Sequence, residues 1–151
     1  NLFGINDNFN KFSSHVIPGM ITKFIEAKRK NKKKVELLGT GKPLREFLFN
    51  DDLSEAIHIL LNLSKKKILS KTKGNFPIFN IGTGKNISIR NLANLIKKKV
   101  KFKGKISFNS SFPDGVTKKN LNSRKINKLG WKPKVTLEKG IEIILKSKFK
   151  I

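Results

Sequence analysis

SHVIPGMITKFIEAKR, residues 14–29, followed by VELLGTG, residues 35–41, decides the fold. Ile17, Met20, Ile21, Phe24 and Ile25 recur at i, i+3, i+4, i+7 and i+8. That spacing places them in one apolar stripe and predicts a helix over 14–29. Ser14 is its expected N-cap, and Pro18 is tolerated because it stands near the helix start. Val35 to Leu38 reads as a short strand closed by Gly39-Thr40-Gly41. Helix followed by strand followed by glycine turn is the unit of an alternating α/β chain.

The same punctuation continues on the C-terminal side. Asp51 or Asp52 is placed to cap a helix carrying Leu53, Ala56, Ile57, Leu60 and Leu61 on one face. A Lys-rich loop follows, then a continuous, mostly apolar strand over Phe76 to Ile81. Ser88 caps a helix that turns Ile89, Leu92, Leu95, Ile96 and Val100 inward. Ile106 to Phe108 is a further strand. Ser123 opens a short helix that Gly130 stops, and Thr136 opens a last one with Leu137, Ile141, Ile144 and Leu145. The expected fold class is α/β, or mixed α+β if the chain folds in isolation.

The 151 residues suit about one domain and include no cysteine, which excludes disulfides, thiolate metal sites and cysteine nucleophiles. No apolar run is long enough to span a membrane, and the first residues lack the features of a secretory signal. The formal net charge of +24 first suggests a polyanion partner. The basic residues are 30 Lys and only 4 Arg, and Lys, Asn, Ile and Phe together make half the chain. These four share A- and T-rich codons, so the charge reads as base composition acting on neutral surface positions. Arg, whose planar donors read bases and phosphates, is scarce. The expectation is therefore no nucleic acid and no membrane partner, with a basic nucleic-acid-binding module as a minor alternative.

Few residues carry chemistry on their own. His58 lies inside a helix and reads as a surface or partly packed side chain. His15, at a helix start, is placed to exchange a proton near neutral pH. The two histidines and ten acids form no metal-ligand spacing, so no metal is expected. Arg45, in the turn before Glu46-Phe47, suits a phosphate contact or a surface pair with Glu46. Gly82-Thr83-Gly84 matches no dinucleotide or P-loop pattern and reads as a tight turn. Pro113-Asp114-Gly115 is a turn, and Lys118 and Lys119 just after it either meet an anion or belong to a plain loop.

Taken together and in order, the motifs go further. They are Asn1-Leu2-Phe3-Gly4, Asp7-Asn8-Phe9, Ser14-His15-Val16-Ile17-Pro18, Gly39-x-Gly41-x-Pro43-x-Arg45-Glu46-Phe47, Asn80-Ile81-Gly82, Pro113-Asp114-Gly115 and Leu129-Gly130-Trp131-x-Pro133. Over nearly its whole length the chain resembles the C-terminal half of the GDP-L-fucose synthases, within the extended short-chain dehydrogenase/reductase group. The resemblance implies the substrate-binding part of an extended Rossmann-type reductase that uses NADP(H). It implies conversion of GDP-4-keto-6-deoxy-D-mannose to GDP-L-fucose, by epimerisation at C3 and C5 and reduction at C4. It also implies site roles: Asn1, Leu2 and His15 against the cofactor, His15 as the proton donor, and Lys23, Leu38, Arg45, Asp114 and Lys119 toward the GDP-sugar.

The resemblance has departures. Leu38 stands where these enzymes often carry Trp, Phe49 and Asn50 replace His and Val, and Asn120-Leu121-Asn122 replaces Leu-Leu-Asp. The chain has no tyrosine, so the Tyr-x-x-x-Lys pair of such reductases is absent from it, as is the Gly-rich cofactor turn. The expectation is that residues 1–151 are one substrate-binding region, inactive alone and part of a longer or split enzyme. Its segments near 1–10 and 51–85 would pack on an N-terminal Rossmann half. The resemblance further implies a cytoplasmic homodimer when that half is present. Another sugar-nucleotide epimerase or dehydratase is the alternative within the same class.

Overall fold

The computed structural model describes residues 1–70 and 77–151. In chain order the elements are β1 (Leu2–Phe3), α1 (Val16–Arg29), β2 (Lys34–Leu38), β3 (Leu44–Arg45), β4 (Leu48–Phe49), α2 (Asn50–Leu61), α3 (Lys65–Leu69), β5 (Ile87–Ser88), α4 (Ile89–Val100), β6 (Lys105–Asn109), β7 (Lys118–Lys119), α5 (Arg124–Asn127) and α6 (Leu137–Phe149). The mixed helix and strand content matches the expected class.

Among the described residues three small sheets organise the fold. β2 and β6 run parallel, registered from Lys34 opposite Lys105 to Leu38 opposite Asn109. β1 pairs parallel with β4, Leu2 opposite Leu48. β3 lies between β5, antiparallel to it, and β7, parallel to it. The helices before β2 and β6, α1 and α4, pack on each other, and α6 packs on α4. Their buried stripes share one core: Ile17, Ile21 and Phe24 of α1, Leu92 and Ile96 of α4, and Ile141 and Ile144 of α6. Each such side chain contributes about 1.5–3 kcal/mol by leaving water. A smaller core gathers Leu48, Ala56, Ile126 and Trp131.

Several local expectations hold. Ser88 Oγ accepts from Asn91 N–H at 3.1 Å, and Thr136 Oγ1 accepts from Lys139 N–H at 3.2 Å, each satisfying an orphan donor of a helix start. Others are corrected. The first helix starts at Val16, with His15 rather than Ser14 in the capping position and no side-chain cap bond. Phe49, not Asp51 or Asp52, precedes α2. Only Ala56 of the expected α2 face is fully buried, while Ile57 and Leu61 are exposed. Ser123 makes no cap bond to α5. The expected strand at 76–81 does not form over 77–81; Phe76 lies outside the described residues. Among the described residues no strand pairs with 77–81. Its Phe79 and Ile81 instead pack against the smaller core. The Lys-rich loop contains a short helix, α3, capped by Ser64.

Asp52 is buried because it does a different task from capping. Its Oδ1 accepts from Lys134 N–H at 2.9 Å and its Oδ2 from Val135 N–H at 3.0 Å. Trp131 Nε1–H donates to the Asp52 carbonyl at 3.0 Å. One aspartate thus fastens the 131–135 segment to α2 and seats Trp131 in the smaller core. Asp52→Asn puts an amide donor against a backbone N–H, and leaving a buried donor unmatched costs about 1–3 kcal/mol. Urea unfolding of the variant should show that loss at unchanged m-value, and an unchanged midpoint would contradict the role given to Asp52.

Candidate functional site

The C-terminal end of β2 opens a cleft of about 370 Å³. Its walls include Lys23, Leu38, Gly39, Arg45, Asp114 and His15. The helix period explains the α1 side: His15, Gly19 and Lys23 are spaced i, i+4, i+8, share one face, and all three line the cleft. The structure therefore brings Lys23, Leu38, Arg45 and Asp114 together around one space, and Leu38 lies exposed at its edge.

A latch shapes the floor. Asp114 accepts from both the backbone N–H of Thr40, at 2.9 Å, and the Thr40 hydroxyl. Gly39 has φ +78, and a Cβ there would collide with Asp114 Oδ1, so glycine is required on both counts. The Thr40 hydroxyl, then its N–H, hold the Asp114 carboxyl below the ordinary range; Lys42 and Arg45 add to the effect. Arg90 braces the same turn. Its Nη2 donates to Thr40 O at 2.9 Å while its guanidinium lies 4.3 Å over the Phe108 ring.

Arg45 does not pair with Glu46. Its Nη1 donates to Val116 O at 2.6 Å and to Leu44 O at 2.8 Å, anchoring the loop after Asp114. Its Nη2 lies close enough to Gly115 that a Cβ there would sit 3.3 Å away. Glu46 is instead buried and accepts from Gly84 N–H at 2.6 Å and Leu121 N–H at 2.7 Å. A Cβ at Gly82 would strike its carboxylate. The Gly84 amide is thus committed to Glu46, and Gly82-Thr83-Gly84 is a turn held from behind.

A second cavity, of about 720 Å³, lies on the other side of His15. Asn1, Leu2, Asp7, Asn8, Phe47 and His15 are among its walls. Asn1 is placed by its amide, which donates to Glu46 O at 2.8 Å, and by its carbonyl, which accepts from Leu48 N–H at 2.8 Å. His15 belongs to both cavities. Its side chain is 82% exposed, and its Nδ1 lies 3.6 Å from Asp7 Oδ1. The imidazole thus has an acid partner on one nitrogen and open space around the rest of the ring.

Lys119 stands apart: it is exposed on β7, registered opposite Arg45, and is not among the cleft's lining residues. His58 is exposed on α2, with the Asn62 amide 3.3 Å from its Nε2. Sequence reasoning missed Glu46, Thr40, Arg90 and Asp7 as organisers of the site. Only the Thr40–Asp114 latch had a visible signal, since both residues stand in glycine-flanked turns.

The depressed Asp114 pKa gives a pH expectation with a definite sign. The latch is fully formed above the ordinary carboxylate value of about 3.9 and opens only as pH falls through the lower, folded value. The Thr40 amide proton shift should titrate below about 3.9, and Thr40→Val should move the midpoint up toward it. A midpoint unchanged by that substitution would remove Thr40 as the cause.

Comparison with known proteins gives a consistent match. The model of the family described as "NAD dependent epimerase/dehydratase family" matches residues 1–82. The chain is 43% identical over 141 residues to the probable GDP-L-fucose synthase 1 of Oryza sativa subsp. japonica, covering 93% of this chain and 40% of that protein. A crystal structure of a GDP-6-OMe-4-keto-L-xylo-heptose reductase from C. jejuni superposes with TM-score 0.88 at 32% identity, over 99% of this chain and 52% of that one. A GDP-L-fucose synthetase from Naegleria fowleri bound to NADP superposes with TM-score 0.84 at 26% identity, over 99% and 44%. The chain thus spans about half or less of each protein it resembles. With the matched segment carrying β1, the His15 helix start and the Arg45 turn, the chain belongs to the NAD dependent epimerase/dehydratase family.

Proposed function

We propose that this chain is the substrate-binding and proton-donating portion of an NADPH-dependent GDP-4-keto-6-deoxy-D-mannose 3,5-epimerase-4-reductase. The observation that carries the proposal is the position of His15, on the wall shared by two cavities. One cavity has Asn1 and Leu2 beside it; the other has Lys23, Leu38, Arg45 and Asp114. A reaction that rearranges a sugar next to a cofactor needs such a residue between the two.

The chemistry assigns each group a task. Inverting a carbon next to a ketone removes a proton from one face and returns one to the other, so it needs an acid and a base. His15, exposed and beside Asp7, supplies the proton donor. Lys23 brings a cation and Arg45 a planar guanidinium toward the diphosphate. Asp114 and Thr40 hold the wall against which the sugar nucleotide lies. The polar amides of Asn1 and Asn8 and the apolar Leu2 and Phe47 suit the nicotinamide end of NADP(H), which supplies the hydride at C4 when bound. Among the described residues none forms a glycine-rich cradle for its phosphates, so that cradle belongs to a nucleotide-binding partner. In the same reading Lys119 is an outlying basic contact that joins the site only if its side chain swings over.

The apolar groups at 1–10, 51–70 and 77–85 fit that division. Leu2, Ile57, Leu61 and Ile78 are exposed here, with Leu61 80% exposed. They are suited to cover by a nucleotide-binding domain. Among the described residues no helix is long and apolar enough to cross a membrane.

The 151-residue chain, mixed with NADPH and the keto sugar nucleotide, should oxidise no NADPH. Co-expression with the N-terminal half of the rice relative should restore turnover, and His15→Asn in that pair should abolish it. Turnover by the chain alone would overturn the division of labour; full activity of the His15 variant would overturn the role of His15.

A further inference from the structure

The fold gathers charge that the sequence scatters. Residues 28–34 contain six basic side chains in seven positions, and residues 97–105 contain six in nine, with no acid in either stretch. They are far apart in sequence, yet α1 and α4 end side by side, and β2 and β6 begin side by side. Lys28 Nζ donates to Val100 O at 2.9 Å, Lys105 N–H donates to Lys33 O at 2.8 Å, and Lys34 stands opposite Lys105. Twelve of the chain's 34 basic residues thus meet at one pole.

Little neutralises them. Among the described residues, Glu36 reaches Lys34 at 3.7 Å, and Glu138 and Glu142 hold Lys99. The other ten cations have no ion pair. Lysine at a helix C-terminus is ordinary, because the terminus carries about −0.5 charge. Two such termini offset about one charge of ten. The pole stays strongly positive, and its like charges repel.

The surroundings select the partner. None of the large exposed apolar side chains lies within 28–34 or 97–105, and Phe102, the one aromatic there, is buried. Nothing at the pole is shaped to enter a lipid layer or to stack on bases. Eleven of the twelve cations are Lys, which bind as point charges and do not read base edges. The pole also faces away from the cleft. His15 and Lys30 flank the two ends of a 14-residue helix, about 20 Å apart at 1.5 Å per residue. A polyanion there would leave the Lys23–Arg45–Asp114 cleft open.

We propose that this pole binds the phosphate backbone of nucleic acid, DNA or RNA, without sequence preference. Binding should follow counterion release, with the logarithm of affinity falling by about 0.9 per phosphate contacted for each decade of salt.

The test is fluorescence anisotropy of labelled duplex DNA and of labelled poly-U with the full 151-residue chain over a series of salt concentrations. A pole variant carries Lys30→Gln, Lys32→Gln, Lys33→Gln, Lys98→Gln and Lys103→Gln, all at exposed positions. A control removes the same charge elsewhere with Lys65→Gln, Lys66→Gln, Lys128→Gln, Lys132→Gln and Lys146→Gln, also exposed. The wild-type chain should bind both nucleic acids. The pole variant should weaken binding at least tenfold and flatten the duplex salt slope by about 4, and the control by far less. Equal losses in the two variants, as a diffuse or unfolded polycation would give, overturn the proposal. So does sedimentation with phosphatidylserine vesicles in the absence of binding to either nucleic acid. DNA without RNA binding, or the reverse, identifies which polyphosphate the pole takes and upholds it.

Discussion

The five-residue parallel pairing of β2 with β6 is the constraint on which the rest of the structure depends. It forces the helices before each strand, α1 and α4, to lie together, which makes the main core. It brings the ends of both strands to one side, where the Gly39 turn meets the loop carrying Asp114 and the latch can close. It sends both helix C-termini to the opposite side, where their lysines gather. Site and basic pole are two consequences of one strand pairing.

Around that frame two buried carboxylates tie the chain through backbone amides. Glu46 and Asp52 are nearly inaccessible, and both receive backbone N–H donors from segments far along the chain. Each fixes a stretch that has no regular structure to fix it: 82–84 and 120–121 for Glu46, 131–135 for Asp52. Charge-assisted bonds to backbone amides are the strong kind, so two side chains hold three loops in register. The Glu46 anchor also sets the second cavity, because Asn1 hangs from the Glu46 carbonyl.

How legible this was depended on range. α1, α4 and α6 show their apolar spacing within a dozen residues, and Ser88 and Thr136 sit where their capping chemistry places them. The two-residue strands β1, β3, β4, β5 and β7 carry no periodicity and exist only through partners elsewhere in the chain. Residues 77–81 are the converse: locally strand-like, but paired with no strand among the described residues. Asp52 reads locally as a helix cap and is used over a distance of some eighty positions. The site shows the same division. His15, Lys23, Leu38, Arg45 and Asp114 could be named from motifs carried by the family resemblance, and the structure gathers them. Thr40 shows only its glycine-flanked turn, and Glu46, Arg90 and Asp7 act through contacts that no local pattern announces. Codon composition accounts for the number of lysines but not for their meeting at one pole.

The central claim is that the cleft between α1, the Gly39 turn and the Asp114 loop receives a nucleoside diphosphate. Its most direct test is a GDP titration of the isotopically labelled chain, read by amide shifts residue by residue. The account predicts saturable shifts at Lys23, at 38–45 and at 113–116, with 28–34 and 97–105 unmoved once salt screens the pole. Shifts confined to the pole, or none in the cleft at saturating GDP, would contradict it.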